Sequence, residues 1–239
     1  MTNSRGVVHL GASIAVLLLT ASCGRNTDNS SNTPVAVAQA LPVPSATSTV
    51  NTSKADFRAA AEPFETLTET AFTATPATLD AAVAKAKSAA LNVRSSLPAS
   101  TVRLDTHLAA LDAAHGKKDR TALAISSIEV YRDLGTASPN TAKTPTQVSL
   151  LDYAGFRYNA DLSASPARWD DMKQAVGFAN DNWALLAPKV GDPQLASKFT
   201  RAIGAMEKAA ALKSRPAASA AAKAELDLVD QLEKHFLMH

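Results

Sequence analysis

The chain has 239 residues, of which 46% are hydrophobic, and its formal net charge is +2. This length and apolar content suffice for one large domain or two small ones with buried cores. So small a net charge gives no strong attraction to polyanions, and we expect no nucleic acid among its partners. The single cysteine, Cys23, excludes an intramolecular disulfide, a four-cysteine metal centre and haem attachment through two cysteines.

Residues 1–22 have the features of a secretory signal peptide. A polar start with Arg5 precedes an apolar run, and small residues follow just before Cys23. The apolar run is too short to cross a bilayer core, so a signal peptide is favoured over a membrane span. The sequence Leu-Thr-Ala-Ser-Cys at 19–23 resembles the bacterial lipobox, with Thr20 where leucine is most usual.

The lipobox resemblance implies that the chain is a bacterial lipoprotein. It implies cleavage before Cys23 and attachment of lipid, palmitate included, to that cysteine. Gly24 follows instead of an aspartate, which in a double-membrane cell implies an anchor in the outer membrane, on the periplasmic side. An unmodified secreted protein is the alternative.

Residues 23–53 form a region of different composition. It consists mainly of Asn, Ser, Thr, Pro, Ala and Val without a helical period. Such a segment buries too little apolar surface to offset its conformational entropy, so we predict a disordered tether that follows the lipidated cysteine.

The first helical unit is predicted over residues 54–135. Apolar residues spaced by three and four indicate helices at about 54–73 and 76–97, followed by one after Ser100 and one after Asp119. Pro63 lies inside the first of these patterns. It predicts either a kink or a helix that starts later, near Glu62.

A connector with two prolines is predicted at 136–146, and a second helical unit at 147–239. Within this unit the same spacing predicts four further helices, at about 147–162, 166–187, 193–213 and 217–237. No stretch of either unit has the alternating pattern of a strand.

An internal repeat is suggested by the helix starts. Thr75-Pro76 recurs as Ser165-Pro166, and in each pair a hydroxyl residue that can cap a helix precedes a proline at the first helical position. We therefore predict an all-α fold, an antiparallel helical bundle built from two repeated units of about four helices each. A short solenoid of helical hairpins is the alternative.

The helix predicted at 147–162 is apolar on two faces. On a helical wheel Leu151 and Tyr158 share one face, whereas Tyr153 lies on another. A helix of this kind is usually central, which places Asp152 and Arg157 at the margins of a buried region. Buried charges need a partner or a shifted pKa. Together with Tyr153 and Tyr158, Asp152 and Arg157 could form a small ligand or metal site. The alternative is a structural ion pair or hydrogen bond that holds the two units together.

Glu225 is a second candidate for ligand or metal binding. It shares the inward face of the last helix with Leu228 and Leu232. Asp227 and Glu129 occupy matching positions in the two units and are predicted to lie on outward faces, in solvent.

The C-terminus offers a candidate metal site. His235, Met238 and His239 are spaced by three and four residues along one helix face, so they could bind copper, nickel or zinc. Incidental composition is the alternative. His107 and His115 are about 12 Å apart along a helix, which is too far for one metal ion.

Catalytic motifs are absent from the sequence. It contains no Gly-x-Ser-x-Gly elbow, no phosphate-binding glycine loop, no His-Glu-x-x-His and no Glu-x-x-His pair of the di-iron bundles. We therefore expect no enzyme and predict no cofactor. Trp169, Met172, Trp183 and Met206 could line a pocket for haem or a hydrophobic ligand, but their spacing also suits an ordinary core.

The leading hypothesis is a lipid-anchored periplasmic helical bundle that binds or scaffolds, with a small ligand or an envelope protein as its partner. The first alternative is an accessory protein of metal or haem uptake. Imelysin-like iron-uptake proteins are similar in using duplicated helical bundles, but their His-x-x-Glu motif is absent here. The second alternative is an enzyme of unknown reaction.

Overall fold

The computed structural model of the protein describes residues 56–97, 102–138 and 143–238. The predicted signal peptide, residues 1–22, and the lipidated cysteine with its tether, 23–53, lie outside this part. The described residues form eight α-helices and no strand, which confirms the all-α prediction. The helices are α1 (Phe57–Thr70), α2 (Pro76–Val93), α3 (Val102–Gly116), α4 (Arg120–Ala137), α5 (Thr146–Ser163), α6 (Trp169–Leu186), α7 (Pro193–Ala211) and α8 (Arg215–Met238).

Helix α1 begins at an aspartate cap and runs through its proline. The side chain of Asp56 accepts hydrogen bonds from the backbone N–H groups of Arg58 and Ala59, each at 3.1 Å. Pro63 lies within the helix, so the later start predicted near Glu62 is wrong. The proline removes one backbone hydrogen bond, but buried apolar residues on both sides of it keep the helix packed.

The predicted cap of α2 is confirmed. The hydroxyl of Thr75 accepts a hydrogen bond from the N–H of Thr78 at 3.3 Å, and Pro76 is the first helical residue. The proline fits there because its missing N–H would have no partner inside the helix.

The matching start predicted at Pro166 is wrong. Helix α6 begins three residues later, at Trp169, and the peptide bond between Ser165 and Pro166 is cis. The backbone N–H of Arg168 donates to the carbonyl of Asp161 at 3.0 Å, so the chain is still bound to the end of α5 at this residue. The two Ser/Thr-Pro pairs therefore do not play the same structural role, and the repeat stays a prediction.

Helices α4 and α5 lie at the centre of the bundle and pack against each other. Helix α4 also packs on α1 and α3, and α5 also packs on α6 and α8. Helix α2 packs on α1 at one side of the bundle. Helix α7 packs on α6 and α8 at the other side. Helices α1 and α4 are antiparallel: the hydroxyl of Thr68 donates to the carbonyl of Ala124, whereas the carbonyl of Phe64, one turn earlier, accepts from Ser127.

Helix α5 contributes to two separate cores, as its two apolar faces predict. Leu151 and Tyr158 belong to a core shared with α6, α7 and α8. Tyr153 and Phe156 belong to a core shared with the helices from α1 to α4. No helix within the described ranges is long and apolar enough to cross a membrane.

Candidate binding groove lined by carboxyl groups

A groove lies between α1 and α8. Both helices contact α5 but pack little on each other, which leaves a channel above α5. Two cavities of about 230 and 410 Å³ lie along this channel and share Glu65 as a lining residue. We call this channel the acidic groove, because seven of its lining residues carry carboxyl groups. These are Glu62, Glu65 and Glu69 of α1, Asp152 of α5, and Asp227, Asp230 and Glu233 of α8.

Helical periodicity places these groups in two facing rows. The acids of α1 are spaced by three and four residues, and those of α8 by three, so each set follows one stripe of its helix. The rows run in opposite directions, because Glu233 lines the smaller cavity with Glu62, whereas Asp227 lines the larger cavity with Glu69.

Few cations neutralise the groove. At one end, Lys223 pairs with Asp227 at 2.8 Å. At the other end, the guanidinium of Arg58 donates to the carbonyl of Thr144 at 2.6 Å. Among the residues that the structure describes, the remaining six groove carboxyls take part in no ion pair. The lining of the groove therefore carries more acidic than basic groups.

The carboxyl groups of the groove disfavour one another's ionisation. Burial, followed by the nearby charges of Glu69, Glu233 and Asp230, raises the pKa of Glu65 to about 7. Burial first, and then Asp230, also raises the pKa of Glu69 and of Glu233. A cation that entered the groove would relieve this repulsion.

Asp152 lies on the floor of the groove and is 8% exposed. The hydroxyl of Tyr131 donates a hydrogen bond to its Oδ2 atom at 2.8 Å. Burial, with a further contribution from Glu65, raises the pKa of Asp152 well above its usual range, although the bond from Tyr131 opposes this. The predicted position of Asp152 at the margin of a buried region agrees with this environment.

Glu225 lies behind the floor and is fully buried, on the inward face expected for it. Neither of its carboxyl oxygens has a hydrogen-bond partner among the described residues. The carboxyl points from α8 at Gly155, which lies between Asp152 and Asn159 on the groove side of α5. Burial, and then the charge of Asp152, raises the pKa of Glu225 well above its usual range.

A network of ion pairs connects the other side of α5 to α4. Arg157 pairs with Glu129 at 2.6 Å and with Asp161 at 2.9 Å, while Arg132 pairs with Glu129 at 2.5 Å. Tyr153 donates its hydroxyl to Glu129 at 2.8 Å. One interpretation of Asp152 and Arg157 was a structural ion pair or hydrogen bond that holds the two units together. This network is of that kind, and it includes Arg157.

The outward position predicted for Glu129 is wrong. Its side chain is buried, because α4 packs against α1, α3 and α5 and has little surface left for solvent. Asp227, its counterpart in the proposed repeat, is exposed as predicted.

The structure therefore separates the candidate residues of α5 and α8. Asp152 lies at the groove floor with Glu225 buried behind it, whereas Tyr153 and Arg157 belong to the ion-pair network. Tyr158 lies in the core, where its hydroxyl donates to the carbonyl of Met206 at 2.9 Å.

The candidate C-terminal metal site is only partly described. His239 lies outside the described residues, His235 is half-buried, and Met238 is 75% exposed. Within the described ranges, no group of three His, Cys, Asp or Glu side chains has an arrangement that could hold a metal ion. His107 and His115 each contact an aspartate, at 2.7 Å.

The aromatic and methionine stripes of α6 and α7 form an ordinary core. Met172, Trp183 and Met206 are buried, and Trp169 packs against the same cluster. The ring of Trp183 stacks on Phe199 with centroids 4.5 Å apart.

The sequence interpretation missed the two acidic rows. A signal was present, since the acids of α1 and α8 recur at helical spacing beside the apolar stripe. Only the tertiary structure shows that the two helices lie on either side of α5. No protein-family model, curated protein or solved structure matches this chain.

Proposed function

We propose that this protein is a lipid-anchored binding protein of the bacterial cell envelope, and that it binds positively charged ligands in the acidic groove. The observation that carries the proposal is the concentration of seven carboxyl groups in one groove with only Arg58 and Lys223 as cations among its lining residues. Most other described carboxylates pair with a cation or cap a helix, as Asp112 does with Lys87.

Electrostatics supports a cationic ligand. Carboxylates that line one groove raise one another's pKa and give it a negative potential. Burial raises the pKa of Glu65 to about 7, and the charges of Glu69, Glu233 and Asp230 add to that rise. A cation would gain Coulomb energy from several carboxylates at once, and its charge would favour their ionised forms.

The leader supports the location. The lipobox-like sequence at 19–23 suits an anchor at Cys23, and the predicted tether that ends at residue 53 would let the bundle move about 30 Å from the membrane if it behaves as a flexible chain. The groove would then be exposed to the periplasm while the protein stays attached to the membrane.

Calorimetric titration of the full-length protein in neutral detergent with hexaamminecobalt(III) tests the proposal. This cation is trivalent and keeps its own ligands, so it reports electrostatic binding alone. We expect saturable binding that weakens as salt increases. Glu65→Gln together with Asp230→Asn should weaken it roughly tenfold.

The matched control replaces two exposed carboxylates away from the groove, Asp181→Asn with Glu207→Gln, and so also removes two carboxyl groups. We expect it to leave binding unchanged. Equal losses of affinity in the two double variants would mean that the probe responds only to net charge. The proposed binding in the groove would then be wrong.

A further inference from the structure

A separate cavity lies between the start of α2 and the end of α3. Its volume is about 400 Å³, and its lining includes Pro76, the first residue of α2, and Gly116, the last residue of α3. No described residue lines both this cavity and the acidic groove. The volume lies in the range of small-molecule pockets, so the cavity is large enough for a ligand of its own.

The cavity lies on the side of the bundle where two helices pack little on each other. Helix α2 packs on α1 and helix α3 packs on α4, but α2 and α3 make few contacts with each other. Three side-chain contacts bridge the gap instead: Asp80 with His115 at 2.7 Å, Lys87 with Asp112 at 2.6 Å, and Arg94 with Asp105 at 2.5 Å. All six side chains are at least 32% exposed, so each contact contributes little to stability.

The floor of the cavity is apolar. Leu79, Ala114 and Leu123 line it, and all three also belong to the core that the helices from α1 to α4 share. They are 7%, 4% and 1% exposed, so the cavity reaches the edge of that core. A hydrocarbon group placed there would extend the core, and its burial would favour binding.

Two cations line the same cavity. Among the residues that the structure describes, neither Lys118 nor Arg120 pairs with a carboxylate. Arg120 is half-buried, and its guanidinium donates to the backbone carbonyls of Ala71 and Ala74 at 2.7 and 2.8 Å. These acceptors are neutral, so they leave the positive charge of Arg120 without a carboxylate partner.

Asp80 is the one acid in the described lining of the cavity. Its side chain is 67% exposed, so water screens its charge, and the ring of His115 contacts it at 2.7 Å. The lining therefore carries two cations against one exposed carboxylate, and an anionic group complements it.

We infer that this cavity binds a medium-chain monocarboxylate, with the carboxylate at Lys118 and Arg120 and the hydrocarbon chain on the apolar floor. Lysine and arginine both form charge-assisted hydrogen bonds with a carboxylate. A single negative charge matches the surplus of one cation in the lining, which favours a monocarboxylate over a phosphate ester. The inference does not depend on the proposed function, because no residue of the acidic groove takes part.

The test is calorimetric titration of the full-length protein in neutral detergent, with the detergent alone as a blank. Octanoate is compared with octanamide, which has the same chain without the charge, and with acetate, which has the charge without the chain. We expect one octanoate per chain, bound at least roughly tenfold more tightly than either of the other two. Equal affinities for octanoate and octanamide would overturn the inference, and so would the absence of saturable octanoate binding.

Lys118→Gln tests the charged part of the cavity. Lys118 follows the end of α3 with a positive φ of 56°, and Lys213 follows the end of α7 in the same conformation, with φ 51°. Lys213→Gln is therefore a matched control for the backbone, on a residue that does not line the cavity. We expect Lys118→Gln to weaken octanoate binding roughly fivefold and the control to leave it unchanged.

Gly116→Leu tests the space. A Cβ atom added to Gly116 meets nothing within 4 Å, so a leucine fits there without a clash and takes up room at the cavity. Gly204→Leu in α7, where an added Cβ also meets nothing within 4 Å, is the control. We expect Gly116→Leu to weaken octanoate binding roughly tenfold and the control to leave it unchanged. Unchanged octanoate affinity in both Lys118→Gln and Gly116→Leu would overturn the inference.

Discussion

The carboxyl group of Glu225 occupies the space into which a side chain on Gly155 would project. The side chain of Leu226 also lies close to that space, so α8 approaches the backbone of α5 directly. Because Gly155 has no Cβ atom, the two helices can bury a glutamate between them.

Substitution at Gly155 should therefore destabilise the bundle. The Gly155→Ala variant would force the Cβ atom against Glu225 and Leu226, and we expect a loss of about 2–3 kcal/mol in the free energy of unfolding. Urea denaturation followed by circular dichroism measures it. The matched controls are Gly177→Ala in α6 and Gly204→Ala in α7, where an added Cβ meets nothing within 4 Å. These should gain up to about 1 kcal/mol. A neutral result at Gly155 would mean that α5 and α8 can separate at little cost.

The protonation of Glu225 can be tested with Glu225→Gln. Burial holds the pKa of Glu225 well above its usual range, so folding favours the protonated form, which glutamine resembles. We expect the free energies of unfolding of the variant and the parent to agree within about 1 kcal/mol below about pH 4.5, the ordinary pKa of this group. As the pH rises from there towards the raised pKa, the parent should lose stability and the variant should not. Asp227→Asn, at an exposed neighbour, should follow the parent. Parallel curves for the parent and Glu225→Gln up to pH 9 would mean that folding does not raise the pKa of Glu225.

Glu65 should give the bundle a second pH dependence. Its pKa is raised from 4.5 to about 7, mainly by burial and by the neighbouring acids of α1 and α8. The folded state therefore binds this proton more tightly than the unfolded state does. Stability from this group is complete below about pH 4.5 and is lost as the pH rises through about 7. Urea denaturation at pH 5 and pH 8 should show a smaller difference for Glu65→Gln than for the parent. An equal difference would place the pH dependence elsewhere.

Arg157 should contribute to stability through the ion-pair network. Replacing it with methionine leaves Glu129 and Asp161 each without one cation, and we expect a loss of about 3 kcal/mol. Glu129→Gln in the same chain should recover part of that loss, because it removes one of the stranded charges. A double-mutant cycle measures the coupling. Strictly additive losses would mean that the Arg157–Glu129 contact contributes no coupling energy.

The membrane anchor is tested by Cys23→Ser. If lipid attached to Cys23 holds the protein, the variant should leave the membrane fraction and lose metabolic labelling with palmitate. Asp181→Asn, which leaves the leader unchanged, should stay in the membrane fraction. Continued membrane association of Cys23→Ser would contradict the lipidation proposal.

The central position of α5 could be predicted because its sequence carries the evidence. Leu151 and Tyr158 on one face, with Tyr153 on another, require neighbours on both sides whatever the details of packing. The start of α6 could not be predicted in the same way. A Ser-Pro pair is compatible with an immediate helix and with an extended turn, and here the contact between Arg168 and Asp161 decides the outcome.

The burial of Glu129 and the acidic groove depended on tertiary structure. From the sequence alone, a glutamate on the polar stripe of α4 is expected in solvent, because the sequence does not show that α5 covers it. The acids of α1 and α8 are far apart along the chain, and nothing local indicates that Glu65 and Asp230 line one channel. Periodicity predicts the face of each helix, but it does not predict which faces meet.

The positions of the two groove helices along the chain have a consequence for synthesis. Of the described helices, α1 is the first to leave the ribosome and α8 is the last. A nascent chain that has reached α7 holds four of the seven carboxyl groups of the groove but lacks one of its two sides. The groove comes into being only when α8 docks on α5 at Gly155, so the capacity to bind is acquired in the final step of assembly.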